Sequence, residues 1–357
     1  MMDFVYRFPV VKGVQARKEY YIGMVPLKAI SKIFVADDDI VLPEYRAQRR
    51  LNTSRIPVIS RYILNNRDDY VFSALAASID GDFKFIASET NSDLGVLEIP
   101  MDAHFLINDG QHRKAAILEA LEEDESLGNE TISVVFYKDV GLERSQQIFT
   151  DLNKHAVKTS NSIAELYDSR DDLAVMTRRA ISKVPFINAY TDKEKDNLGK
   201  YSSKLFTLNT FYQANQKIVL KQEVDEHTEY FLEEFWKAVS ENMVQWKELQ
   251  RKEISKVDLR ENYIITQAVV IRAMGNIGRY FYTHPEVNMT ESLSGLKKVD
   301  WSRSAEEWKM RTIRENGRMI SSDAAVILTS NVIKQILKIE LERDEATRER
   351  KFLAVHR

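Results

Sequence analysis

The residues Asp109-Gly110-Gln111-His112-Arg113 stand where an apolar run, Phe105-Leu106-Ile107, stops and a helical pattern, Lys114 to Leu121, begins. A strand ending at Ile107 places Asn108 or Asp109 at the helix N-cap, and Gly110 lets the backbone turn tightly. The first free amides of the helix then point out of the turn, an arrangement that attracts anions. Gln111 offers a donor and an acceptor, His112 titrates near neutrality, and Arg113 is a fixed cationic fork suited to phosphate or carboxylate. The same residues also fit an ordinary capped turn with Arg113 in a structural ion pair.

Two further clusters carry cations. Between Pro43 and Arg67 lie Arg46, Arg49, Arg50, Arg55, Arg61 and Arg67 against one acid, Glu44, with no lysine among them. A planar guanidinium meets phosphate oxygens or guanine edges in a way an ammonium does not, so the stretch is a candidate for contact with a polyanion. A solvated helical face balanced by Asp37 to Asp39 is the plainer account. Downstream, Asn153-Lys154-His155-Ala156-Val157-Lys158-Thr159-Ser160 follows a helical pattern, Glu143 to Leu152. It is expected to return to the same sheet end as the Asp109 turn, with Asn153 orienting a ligand, Lys154 and Lys158 supplying charge, and Thr159 or Ser160 capping the next helix. A polar loop with an N-cap explains it equally.

Composition narrows the chemistry. The chain has 357 residues, 44% of them hydrophobic, and no cysteine. Disulfides, thiolate nucleophiles and cysteine-ligated metals are therefore excluded, and a reducing compartment suits it. The six histidines are scattered without helical ligand spacing, so no metal site is expected. Neither a Walker loop, a dinucleotide glycine fingerprint nor a nucleophile elbow occurs. Because the opening lacks the order of a signal peptide and no apolar run approaches the roughly 20 residues of a membrane span, a cytoplasmic protein is expected. The net charge of -3 means that nucleic-acid binding must come from a local patch.

These clusters need elements to hold them. Tyr20 to Val25 reads as a strand followed by a short helix from Pro26, and Arg55 to Leu64 as a helix capped by Ser54. Val71 to Ile79, Phe83 to Ile86 and Val96 to Ile99 read as strands, as does the β-branched run Thr131 to Tyr137. Beyond Gly141 helical spacing dominates in Glu143 to Leu152, Ser162 to Lys183, Ser203 to Leu220, Thr228 to Leu249, Asn262 to Tyr282, Ala305 to Arg314 and Asp323 to Glu345. Gly275 and Gly278 inside a helical stripe suggest close helix packing, and Trp236, Trp246, Trp301 and Trp308 are expected in a core. Glu340 to Arg350 reads as a solvated helix end. The expected fold is α+β, a mixed α/β domain over 1–160 followed by a mainly helical domain over 161–357.

The Asp109 to Arg113 segment resembles the signature of the DGQHR-domain family. Gly13-Val14-Gln15-Ala16, Tyr20-Tyr21, Arg46-Ala47-Gln48-Arg49, Arg55-Ile56-Pro57 and Tyr70 to Ala74 resemble its DndB-like members. The resemblance implies association with DNA phosphorothioate modification, in which sulfur replaces a non-bridging phosphate oxygen, and with repression of the modification operon. It also implies likeness of the first domain to the ParB and sulfiredoxin superfamily, whose equivalent turn binds nucleotide phosphates. On that footing Gly110, His112 and Arg113 match the phosphate turn and Asn153-Lys154-His155 the later phosphate segment. His112 and Arg113 depart from the more basic run of ParB, and sulfiredoxin chemistry is excluded without cysteine.

The leading expectation is a DNA-binding transcriptional repressor of the modification operon, with Arg46, Arg49, Arg50, Arg55 and Arg61 on promoter DNA. Its partners would be duplex DNA and other DNA sulfur modification proteins, with a homodimer if the operator is palindromic. The rival is an enzyme: an ATPase or a DNA-nicking ParB-like protein, with Asp109 or His112 as base and Arg113 stabilising phosphate charge. In that case ATP or another nucleotide is the candidate cofactor, held by Gly110, Gln111, His112, Arg113, Asn153, Lys154, His155 and Lys158.

Overall fold

In the computed structural model the described residues are 4–34, 51–138, 141–154, 159–199, 201–220 and 223–356. The chain forms two compact units, Met1–Val157 and Lys158–Arg357.

The first unit is built on a seven-stranded sheet. Its strands are β1 (Val5–Gln15), β2 (Lys18–Pro26), β3 (Leu75–Asp80), β4 (Lys84–Ala87), β5 (Leu94–Pro100), β6 (His104–Asp109) and β7 (Thr131–Lys138). Their order is β4-β5-β1-β2-β7-β3-β6. Every pair is antiparallel except β3 with β7. Alternation of side chains sends Val10, Gly23, Val134 and Leu75, aligned across four strands, to one face. That face is covered by α1 (Leu27–Ile33), α2 (Ile56–Asn65) and α3 (Gln111–Glu123), which bury Ile30, Ile63 and Ile117 against Phe8, Phe105 and Phe136. This core buries 22 hydrophobic residues, the large ones each contributing roughly 1.5–3 kcal/mol, and that burial holds the layer together. The other face receives α4 (Leu142–Lys154) over β6, where Asn108 Nδ2 donates to the Ser145 carbonyl at 3.4 Å.

The elements follow the sequence reading with shifted ends. The strand expected from Val71 starts only at Leu75, and α2 is preceded by a single 3-10 turn, Thr53–Arg55, capped by Asn52 rather than Ser54. β1 has no counterpart in the expected elements.

The second unit is helical: α5 (Asn161–Tyr167), α6 (Asp172–Ser182), α7 (Pro185–Tyr190), α8 (Leu208–Val219), α9 (Glu226–Asn242), α10 (Val244–Gln250), α11 (Lys256–Asn262), α12 (Ala268–Thr283), α13 (Met289–Leu293), α14 (Asp323–Ile336) and α15 (Arg343–Val355), with a two-residue strand pair, β8 (Thr191–Asp192) and β9 (Phe206–Thr207). All four tryptophans are buried in its core. Gly275 and Gly278 lie where α12 meets α8: a Cβ at Gly275 would stand 2.4 Å from the Ala214 carbonyl oxygen. Expected single helices break where a polar cap competes. Asp168 accepts from the amides of Arg170 and Asp171, and Asp171 then caps α6, so Ser162 to Lys183 becomes two helices. The stretch Ala305 to Arg314 contains only a 3-10 turn, Glu306–Trp308; Met310 has a left-handed φ of 59°, which ends any helix there, and Trp308 Nε1 donates to the Asp300 carbonyl at 2.7 Å. Nor is Glu340 to Arg350 a solvated end. Glu345 and Glu349 on α15 are buried, paired with Lys334 and Arg311 at 2.8 Å and 2.6 Å. Among the described residues no helix is long and apolar enough to cross a membrane.

Candidate functional site

The DGQHR segment joins edge strand β6 to α3, and its helix start is built differently from the expectation. Gly110, at φ 102°, is the N-cap, and no side chain caps the helix. Asn108 is unavailable because its side chain is buried on the opposite face, where its Oδ1 accepts from Ser78 Oγ at 2.8 Å. Asp109 instead reaches forward one helical turn. Its Oδ2 stands 2.5 Å from Arg113 Nη2, with the Asp109 side chain 42% and the Arg113 side chain 17% exposed. Nη1 of Arg113 also donates to the hydroxyl of Ser73 and to the Ser73 carbonyl, 3.2 Å away. The guanidinium therefore ties the turn to the segment ahead of β3, and an anion at this helix start would compete with Asp109 for it. Glycine is required at 110 both by its left-handed backbone and by space, since a Cβ would meet Leu75 Cδ2 at 2.4 Å.

His112 looks towards α2. Its Nε2 accepts the backbone amide of Asn52 at 3.0 Å, while Asn52 Oδ1 accepts the amide and hydroxyl of Ser54. As an acceptor, Nε2 carries no proton, which assigns the ring's proton to Nδ1. The motif thus anchors the turn that starts the arginine-bearing helix.

Of the candidate DNA-binding residues, Arg55 is the N-cap of this helix and Arg61 lies within it. Both are exposed, and among the described residues neither has an ion-pair partner. Arg46, Arg49 and Arg50 lie outside the described residues. Arg67, counted in the same arginine run, is committed elsewhere: it pairs with Glu130 at 3.0 Å and Asp124 at 3.3 Å and donates to Ser126. The Asp124 carboxyl is held below its usual range chiefly by hydrogen bonds from Ser126, with Arg67 contributing.

Of the second cluster, only the backbone of Asn153 and Lys154 and the residues from Thr159 on are described. β6 runs opposite to β3, and β3 runs with β7, so Asp109 is level with Ala76 and with Val135 in the middle of β7. α4 crosses the sheet, and its late residues Asp151 and Leu152 border the β1–β2 hairpin at Gln15 and Ala16. Asn153 and Lys154 close α4 just beyond them, while His155 and Lys158 lie outside the described residues. Asn52 and Ser73, the residues that hold His112 and Arg113, were not among the expected site residues. No local signal reports them, because they sit 60 and 40 positions from their partners.

Neither the curated proteins nor the solved structures compared with the chain gave a match. The family model described as DndB, DNA-sulfur modification-associated, matches residues 8–340, nearly the whole chain. With an α+β unit carrying the DGQHR turn, a helical unit after it and that match over residues 8–340, the chain belongs to the DndB family of DNA-sulfur modification-associated proteins.

Proposed function

We propose that the protein is a sequence-selective DNA-binding regulator that represses the operon of the DNA phosphorothioate modification genes. Membership of a DNA-sulfur modification-associated family sets the context. The observation that carries the reading is the pair Arg55, the N-cap of α2, and Arg61 within it, both exposed and without a carboxylate partner among the described residues. A guanidinium that no acid neutralises is open to phosphate oxygens and guanine edges. Arg46, Arg49 and Arg50 precede Arg55 in the same arginine-rich stretch of sequence. Duplex promoter DNA and other sulfur modification proteins are its partners, and a palindromic operator calls for a homodimer.

The enzymatic alternative, hydrolysis of ATP or nicking of DNA at the Asp109–Arg113 turn, needs a cation free to meet developing phosphate charge. Arg113 is engaged by Asp109 and Ser73 in this state, which favours the regulator. A mobility-shift assay over a salt series tests the choice. Promoter DNA is expected to bind about 10³-fold or more tighter than scrambled DNA of equal length, with a falling salt dependence. Equal affinity would end the regulator reading. Phosphate release from ATP or CTP that disappears in Arg113→Ala would install the enzyme in its place.

A further inference from the structure

An open cavity of about 770 Å³ lies between the β1–β2 hairpin, the end of β7 and α4. Its volume falls in the range of small-molecule sites, roughly 300–1,000 Å³. The wall combines aromatic faces with cations. Tyr20 and Tyr137 occupy paired positions on β2 and β7, their rings stacked at 6.1 Å and 27°, and Phe83 and the buried Ile148 add apolar surface. Lys18 and Arg144 line the same space, and among the described residues neither has a carboxylate partner. The two acids of the wall are already engaged. Glu19 accepts from the Tyr21 hydroxyl at 2.9 Å and faces Lys12 at 3.6 Å, and Asp151 accepts from Gln147 at 2.6 Å. The amide of Gln147 leaves Asp151 charged, but the wall holds three cations, Lys18, Lys138 and Arg144, against the two acids, so its net charge is positive. Planar π surface beside unneutralised cations selects a flat aromatic ring that carries an anion.

We propose that this cavity takes a single unstacked nucleobase with its phosphate, the ring against Tyr20 and Tyr137 and the anion at Arg144 and Lys18. Stacking on tyrosine accepts any base, since every base has a π face. A base that enters from a duplex must first leave the helical stack. The inference rests on the DNA-binding reading for its context, but its residues are separate from those of α2. The same chemistry has two sources, a nucleotide within a DNA strand and a free mononucleotide.

Fluorescence anisotropy with the full chain distinguishes them, using a single-stranded oligothymidine 12-mer, a duplex with one extrahelical thymidine and the matched perfect duplex. Leu152→Trp fills the cavity from its exposed rim, and Arg144→Ala removes the anion partner without disturbing the core. Leu152→Trp is expected to weaken the two unstacked probes at least about tenfold. Arg144→Ala should weaken them several-fold, while Tyr137→Phe, which keeps the ring, stays within about twofold of the parent. The perfect duplex should respond to none of these and should instead lose affinity in Arg55→Ala/Arg61→Ala. Competition by thymidine monophosphate supports the site and assigns free nucleotide as its source. Persistence of oligonucleotide binding without competition supports it and assigns the strand. Parent-like binding of both unstacked probes by Leu152→Trp and Arg144→Ala overturns the proposal, and if the tryptophan variant misfolds, Arg144→Ala alone decides. Cavity-dependent binding of the single strand with no affinity for perfect duplex would sink the α2 reading and leave this one standing.

Discussion

Nε2 of His112 accepts the backbone amide of Asn52 across a sequence separation of 60 residues, so the family motif grips the turn from which the exposed arginines of α2 start. A single neutral hydrogen bond of this kind contributes roughly 0.5–1.5 kcal/mol. His112→Ala is therefore expected to lower global stability by no more than that. Its larger effect should be faster amide hydrogen exchange over Asn52 to Arg55, together with weaker DNA binding. Unchanged exchange there would show that the motif does not hold the helix start.

Arg55→Ala/Arg61→Ala separates charge from fold. Both side chains are exposed, so the melting temperature should move little. If each guanidinium meets a phosphate, the slope of log affinity against log salt falls by about 0.9 per arginine. An unchanged slope would place the DNA contact elsewhere.

Gly110→Ala tests the turn itself. Its backbone is left-handed, and a new Cβ would collide with Leu75 in the core. Destabilisation of about 1–3 kcal/mol is expected from strain and overpacking, read as a lower midpoint in urea. A neutral outcome would mean that Leu75 and the strand can yield.

In the helical unit, burial, and after it the carboxylates of Asp196 and Asp171, push the Glu165 carboxyl up to about 8, and its Oε2 has no hydrogen-bond partner among the described residues. A carboxyl raised from its ordinary 4.5 binds its proton more tightly in the fold than in the unfolded chain. Its contribution is favourable below pH 4.5 and is lost as pH rises towards 8. Melting curves of the parent and Glu165→Gln should coincide near pH 4.5 and diverge up to pH 8, with the glutamine variant the more stable. Parallel curves across that window would refute the assignment.

Lys334 and Glu345 form an ion pair, buried at both ends, in which Nζ contacts both carboxylate oxygens at 2.8 Å. Removing one partner leaves an uncompensated buried charge, so Lys334→Met should cost about 3–5 kcal/mol. The double variant Lys334→Met/Glu345→Leu should recover most of it, because two apolar groups need no desolvated partner. Chemical denaturation of both variants checks this, and a double variant no better than the single would show that the cost lies in packing.

Much of the fold was legible locally. The turn chemistry of Asp80-Gly81-Asp82, the β-branched run of β7 and the three-four spacing after Gly141 are properties of neighbouring residues, and so strands, helices and the α+β division follow from them. Helix breaks at Asp168 and the buried acids of α15 did not follow, since a carboxylate reads as solvated until its partner from another helix is known. The candidate site divides the same way. That Asp109 to Arg113 form a strand-to-helix turn was written in five consecutive residues. Tertiary structure alone decided that Arg113 faces Asp109 and Ser73, that His112 holds Asn52, and that Tyr20 stacks on Tyr137. Each of those depends on strand order and register, which are set by the burial of whole faces and not by any short stretch of chain.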